Sequence, residues 1–477
     1  IKNTTGRLYL LSDDLWIKNE ADNKISARFM DGGEVFLYNN DTLRLTTTGT
    51  GITVGGEVAA TQDYPDFKAA LDFNFAAVKK LDPRITYYRT GAASYINEFG
   101  LVQCVGANTP RFDHDPVTRE CKGLLIEDQR INYVSYSEDI TQANNSGVTI
   151  TNNIATSPDG TQNASSIVGS GSDTNTNINW GTQTVASGHF ATWSIFVKST
   201  ETSCILQFYT NTFIAGAARL NVELADGTTG GDAVNGNTWF WKVEEYPNSW
   251  WRVSWGGTGA GSGGGMHIGV VPAKTSARGA TCGSAVNKTY YAWGVQEEHG
   301  AGQNWASSYI RTNGSAATRG GDFVSITGDE HTDFWNTSEG TYIIDYNPIE
   351  LAVGDGVIIG SKRGSNGSGY PWPLYRHDTA NTNIFKSYDL TTGIISISSA
   401  WADRRESWAL GFNGTNGSIA RNGSQLVTNN TSMKGLIDAD ELWLGSSSTG
   451  SLYSMHVRRF IYYPKRISDS QLVTLTS

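Results

Sequence analysis

Cleaving a glycan takes two carboxylates held about 5–10 Å apart, one acting as acid and the other as base or nucleophile. The acidic residues of this 477-residue chain include adjacent pairs such as Glu127-Asp128, Glu244-Glu245 and Glu297-Glu298. Adjacent residues on a strand point to opposite faces, so no single pair supplies both groups. The only Glu-x-Asp is Glu20-Ala21-Asp22, with Lys24 where a second Glu would stand. No Gly-x-Ser-x-Gly, His-Glu-x-x-His or phosphate loop occurs. Asp113, His114 and Asp115 precede Pro116, where aspartates bond their own backbone in turns; spacing sets no third ligand, and no metal is expected. A site assembled between subunits would escape these tests, but the residues of one chain point to no catalytic group.

The other chemistry is aromatic. An exposed ring can carry the apolar C–H face of a sugar while Asn, Asp or Arg satisfies its hydroxyls. Trp193, Trp239, Trp241 and Trp293 alternate in phase with Ile and Val, which is core spacing. Trp180, Tyr246, Trp250 and Arg252 are out of phase with the core or lie on turns, which makes them candidate contacts. Further on, Gly364 to Pro373 sets Tyr370 and Trp372 among glycines and prolines; with Arg376 and His377 they form a second candidate patch. Packing competes with contact at each position, and Trp372 would serve equally as the plug of one sandwich end.

These residues need a β scaffold. Gly numbers 54, Trp 15 and Tyr 21, and charged residues make up 17%, a composition of many short strands and glycine-rich turns. The length exceeds one core and suggests about three domains. A net charge of −10 repels a phosphate backbone, so nucleic acid is not an expected partner. No run approaches the ~18 apolar residues of a membrane helix, and no signal peptide is visible. The chain starts at Ile1, which a preceding anchoring segment or processing would both explain. Cys104, Cys121, Cys204 and Cys282 are widely spaced, and mostly buried reduced thiols are expected; spacing alone would also allow a Cys104–Cys121 bridge.

Along the chain, Leu8 and Leu10, Val35 and Leu37, Leu43 and Leu45, and Ile52 and Val54 form short i, i+2 apolar pairs between polar turns. Each strand offers too few apolar residues to close a core within one chain. "GGEVFLYNNDTLRLTTTGTGITVGGEV" resembles a repeat of trimeric bacteriophage fibres, which implies a homotrimeric β-stranded stalk over residues 1–58. Residues 59–132 read as a collar or linker, with a helix from Pro65 through Leu71 and a hairpin from Arg111 to Glu127. "RFDHDP…GLLIE" resembles the hairpin that precedes jelly rolls in phage structural proteins.

Residues 133–312 carry repeated strand patterns, and "GNTWFWKVEEYPNSWWRVSW" resembles the paired strands of carbohydrate-binding jelly rolls. Tyr291, Trp293 and Val295 share one expected strand face against Tyr290, Ala292 and Gly294. "YAWGVQEE…SSYIRTNGSAATRGGDFVSI" resembles the join in phage tail and fibre proteins where such a jelly roll closes and a concanavalin A/laminin G-like sandwich opens. That second sandwich is placed at 313–477. Asn422-Gly423 is a hairpin turn. "LWLGSSSTGSLYSMHVRRFIYYPKRISDSQL" resembles the closing strands of laminin G/concanavalin A-like domains, which implies a strand from Val457 to Tyr463 followed by a short terminal helix, for which Ser468 is a cap. Related modules often hold a structural calcium ion; no ligand cluster here identifies one, and no other cofactor is implied.

The fold expected is all-β, a trimeric stalk followed by two lectin-like sandwiches. The resemblance implies a phage tail fibre, exposed on the virion and assembled in the host cytoplasm. It would attach to other tail proteins through its N-terminal end and bind bacterial surface polysaccharide or lipopolysaccharide without cleaving it. A tail spike that depolymerises the polysaccharide, and a purely structural fibre, are the alternatives. Membrane insertion is not expected. Fold does not fix function in such sandwiches.

Overall fold

In a computed structural model of the chain, the described residues are 12–49, 51–55, 65–169, 177–181, 184–210, 219–230, 239–259, 261, 264–279, 288–300, 305–349, 356–362, 372–379, 382–388, 395–399, 405–429, 439–446 and 453–477. They form two units, divided between Asp63 and Tyr64. The fold is all-β, as its composition implies.

The first unit is one antiparallel meander of Asp14–Lys18, Ile25–Met30, Val35–Asn39, Thr42–Thr48 and Gly51–Val54. Leu8 and Leu10 lie outside the described residues. Register puts Ile17, Ala27, Leu37, Leu45 and Val54 in one row across all five strands. Directly opposed residues share a face. Beside this row, Leu15, Phe29 and Val35 make a second, shorter one. Of these residues only Ala27 is buried; Ile17 is 46% exposed, and Ile52, on the same face, is 65% exposed. The other face carries the Arg28–Asp14 ion pair, with Arg28 4.5 Å from the Trp16 ring.

In the second unit one β-sandwich is inserted into another. The inserted sandwich has a front sheet in the order Asn144–Ser146, Asn177–Trp180, Met266–Val271, Ile205–Thr210, Arg219–Glu223 and Thr229–Gly230. Its back sheet runs Val148–Ala155, Ala164–Gly169, Thr289–Gly300, Phe190–Lys198, Trp250–Thr258 and Trp239–Tyr246. Ile178, Ile268, Phe208 and Leu220 from the front meet Trp193, Ile195, Val253 and Trp255 from the back in one core.

The host sandwich is built largely from the C-terminal third, but residues read from sequence as a collar complete it. Along one edge of Met455–Tyr463 lie, end to end, Leu124–Ile126 and Leu71–Asn74. Thr86–Tyr88 extends the opposing sheet beside Phe323–Thr327. The chain leaves and re-enters the host through paired strands, Arg130–Asn132 against Ala317–Arg319. Beside this neck sits a buried ion cluster. Glu127 meets Arg111 at 2.6 Å and Arg319 at 3.7 Å, and Asp322 meets Arg111 at 2.5 Å.

Several sequence expectations shift. The helix expected from Pro65 to Leu71 is absent. Leu71 and Phe73 are instead buried in a strand, Phe67 packs edge-on to Tyr463 at 5.5 Å, and a single helical turn follows at Phe75–Val78. Pairing with the long edge of Met455–Tyr463 buries more than an isolated turn can. The strand Thr289–Gly300 does not keep one large-residue face. A bulge at Gly294, with φ of +65°, turns Tyr290, Ala292 and Val295 to the sandwich core and Trp293 to the opposite side with Phe196. A Cβ at Gly294 would stand 3.0 Å from the Phe196 ring. The strand is therefore buried on both faces.

Cys104 and Cys121 are unbridged and at least partly exposed, and among the described cysteines only Cys204 is buried. Cys282 lies outside the described residues. The Asn422-Gly423 turn, with φ of +46° and +68°, joins Gly417–Arg421 to Gln425–Asn429. Ser468 caps Asp469–Leu475, with Gln471 closing the capping box.

Candidate functional site

The front sheet of the inserted sandwich presents a polar row. Asn144 opposes Asn179, Asn179 opposes His267, His267 opposes Tyr209, and Tyr209 opposes Arg219. The residues one step along each strand (Ile178, Ile268, Phe208 and Leu220) fill the core, so this row faces outward. Asn144 is exposed and the others are half-buried.

Within the row the side chains hold one another. The Tyr209 and His267 rings stack at 4.8 Å and 12°, and the Arg278 guanidinium lies 5.4 Å from the Tyr209 centroid. The Asn144 amide donates to Asn179 Oδ1, and the Asn179 amide to Asn177 Oδ1, both at 3.4 Å. Arg278 is fixed by donating to the Thr210 carbonyl at 2.7 Å. The loop carrying it, 273–279, is anchored on the next row of the sheet. There Asn221 donates to the Lys274 carbonyl at 2.7 Å, Gln207 donates to the Ala277 carbonyl at 3.0 Å, and Gly279 N donates to Gln207 at 2.6 Å. Burial, and then Arg278, push the His267 imidazole below its ordinary value, so the ring is neutral at pH 7. Burial pushes the Tyr209 phenol up.

The row thus offers amides, a neutral imidazole, a phenol and a guanidinium, spaced by the ~4.8 Å between strands. This is an outward hydrogen-bonding surface. Among the described residues the row holds no carboxylate.

The contact residues expected from sequence lie elsewhere. Trp180 follows Asn179 and so points inward, 6% exposed in the core. Trp250 does leave the sandwich core, on the outer face of the back sheet, but it is fully buried. A second cluster with Val102, Phe196, Trp293 and Tyr309 covers it, and its indole donates to the Thr156 carbonyl at 3.1 Å. Tyr246 and Arg252 belong to the same covered face and are also buried; Arg252 donates to the Ser307 carbonyl at 2.6 Å. None of the three is an open stacking platform, because residues 94–127 and 305–309 lie over this face.

Of the expected core tryptophans, Trp193 and Trp293 are buried, while Trp241 is 41% exposed because its strand is the sheet edge. The side chain of Trp239 is outside the described residues. Tyr370 also lies outside them. Trp372, Arg376 and His377 sit on the strand Trp372–Thr379 rather than on a loop, with side chains outside the described residues. Asp115 caps its own turn, accepting from Val117 N at 3.0 Å and Thr118 N at 2.9 Å. Asp113 instead pairs with His456 at 2.8 Å.

The row is not among the candidates read from sequence, because cross-strand register is what assembles it. In Asn177-Ile178-Asn179-Trp180 the alternation already marks the asparagines as the outward pair.

No family model matches the chain, and no curated protein matches it. Among solved structures it is similar to the CBM40 of the Ruminococcus gnavus IT-sialidase, at 16% identity over 30% of this chain and 84% of that one, TM-score 0.25. It is also similar to a SAP-like pentraxin from Limulus polyphemus, at 14% identity over 29% of this chain and 70% of that one, TM-score 0.24. A third is the binding domain of botulinum neurotoxin DC in complex with rat synaptotagmin II, at 14% identity over 33% of this chain and 40% of that one, TM-score 0.25. Scores of this size carry no argument about the ligand of this chain.

Proposed function

We propose that this chain is a bacteriophage virion fibre that holds bacterial surface glycans without cleaving them. The observation that carries glycan binding is the outward row Asn144, Asn179, His267 and Tyr209, which offers hydrogen-bonding groups and no catalytic carboxylate. The phage assignment rests on the sequence resemblances at the join, the stalk repeat and the C-terminal ending.

The stalk reading draws on the first unit. A five-strand sheet with an apolar row open along one face needs a partner layer, and two further copies of the same sheet supply it as a homotrimer. Three weak sites on one stalk gain avidity without new contacts. Attachment to other tail proteins is assigned to the N-terminal end.

The test is incubation of the purified chain with a panel of bacterial surface polysaccharides, following bound protein and polysaccharide length together. Binding at unchanged length, lost in Tyr209→Ala, is expected. Shortened polysaccharide would replace this reading with a depolymerase, and no binding to any of them would leave a structural fibre. Light scattering should give three times the chain mass, falling to one in Leu37→Asp.

A further inference from the structure

The front row ends on two guanidiniums. Arg219 stands directly opposite Tyr209 across the sheet, and its neighbour Leu220 fills the core, so the Arg219 side chain leaves on the outward face. Arg278 reaches the same place from the loop 273–279 and lies 5.4 Å from the centroid of the Tyr209 ring. Tyr209, stacked on His267 at 4.8 Å, thus has an arginine on the next strand and a second one against its ring.

Both arginines are held by the backbone. Arg219 Nε donates to the Ser276 carbonyl at 2.8 Å. Arg278 donates to the Thr210 carbonyl through Nε at 3.1 Å and Nη2 at 2.7 Å. Each is half-buried. A free surface arginine loses rotamer freedom when it binds, whereas folding has already fixed much of it in these two. Arg219 Nη1 and Nη2 take no protein partner among the described residues and are not closed off from solvent. Its fork is anchored on one side and open on the other.

Charge then sets the ligand. With His267 neutral, the row carries two guanidiniums and, among the described residues, no carboxylate. Glu223, the outward carboxylate further along the Arg219 strand, lies roughly 13 Å away at ~3.4 Å per residue. It accepts instead from Ser203 Oγ at 2.6 Å and Cys204 N at 2.8 Å. On a chain of net charge −10 this end of the row is a local positive exception. A guanidinium fork matches a carboxylate or phosphate, and a hydrogen bond to an ionised partner is about twice as strong as a neutral one.

We infer that the front row takes an acidic glycan. Arg219 grips the carboxylate or phosphate of one sugar residue, Arg278 adds its charge beside it, and the amides of Asn179 and Asn144 meet hydroxyls further along. This rests on the reading of the front row as a glycan site and names the ligand class.

The test uses the full chain with three probes of like size: methyl glucuronide, glucose 6-phosphate and methyl glucoside. Binding is read by saturation-transfer NMR and calorimetric titration. At least one anionic probe should bind about tenfold or more tighter than methyl glucoside, and raising salt from about 50 to about 500 mM should remove most of that advantage. Which anion binds distinguishes carboxylate from phosphate. Arg219→Gln should abolish the advantage and leave methyl glucoside unchanged, and Arg278→Gln should reduce it several-fold. Arg219→Lys keeps the charge but not the fork and should retain only part of it. Melting temperatures within a few degrees of the parent separate lost contact from lost fold; where Arg219→Gln does not fold, Arg219→Lys decides. The assignment is overturned, with the glycan reading intact, if methyl glucoside or neutral polysaccharides bind as tightly as anionic ones, or if the preference survives undiminished in a folded Arg219 variant. If no probe and no polysaccharide binds, the glycan reading falls and the assignment with it.

Discussion

The two outer faces of the inserted sandwich look alike in sequence and differ in what lies over them. On the front, Asn144, Asn179, His267 and Tyr209 stand in register at the surface. On the back, Tyr246, Trp250 and Arg252 also point away from the core, but Tyr246 and Trp250 are covered by Val102 and Tyr309, and Arg252 is buried against the Ser307 carbonyl. Phase along a strand therefore tells which side chains leave their own core. Whether they reach solvent depends on segments distant in sequence, around Val102 and Tyr309. The front row is open at the surface, and the back face is covered.

The contrast can be broken most strongly at the neck. Glu127→Gln leaves Arg111 and Arg319 without their carboxylate and should cost about 3–5 kcal/mol of stability, as loss of one partner of a buried ion pair does. Calorimetry measures it, and an unchanged melting temperature would show that the cluster does not hold the covered face. Trp250→Ala should cost a similar ~3–5 kcal/mol through the cavity it leaves, with glycan binding to the front row unchanged at temperatures below melting.

Acid should act on the covered face first. Burial pushes Glu127 up, but Arg319, Arg111 and the Ser308 N–H and O–H hold it far below its ordinary value. Asp113 is likewise lowered: burial raises it, and the hydrogen bond and charge of His456 more than offset that. Carboxylates depressed in this way contribute stability that is full above their ordinary values and lost as pH falls through the folded ones, between about pH 5 and pH 2. The melting temperature of Glu127→Gln should fall less steeply over that range than that of the parent. Parallel curves would refute the assignment.

On the front the order reverses. Tyr209→Ala should weaken polysaccharide binding tenfold or more while costing about 1 kcal/mol of stability, since the ring is only half-buried. Asn179→Ala should weaken it only a few-fold, as one hydrogen-bonding amide among several. A front-row variant that unfolds before it loses binding would erase the distinction between the two faces.

Much of the β scaffold was legible in the sequence because period-two alternation and turn chemistry act locally. The Asn422-Gly423 hairpin, the Ser468 cap and the strands of the first unit with their apolar pairs follow from neighbours in sequence. Two things were not legible. Gly294 breaks an alternation that looks unbroken, because a bulge is set by the partner strand. Leu71 and Phe73 look like one face of a helix until an edge far along the chain, at Phe460 and Tyr462, offers them a ladder. The site needed both kinds of information. Asn177 and Asn179 could have been picked by phase alone, but His267 and Tyr209 join them only through cross-strand register.

The pairing of the host sandwich also sets a timetable for synthesis. Every strand of the inserted sandwich finds its partners between residues 144 and 300, so this part can fold while the ribosome is still at work. Leu71–Asn74 and Leu124–Ile126 must wait for Met455–Tyr463, which emerges almost last. For most of translation these apolar strands stand without their edge, the state in which a nascent chain is most exposed to mispairing. A ribosome-stalled chain ending before residue 455 should therefore carry a protease-resistant middle flanked by a cleavable collar. The final twenty-odd residues act as the clasp that shuts it.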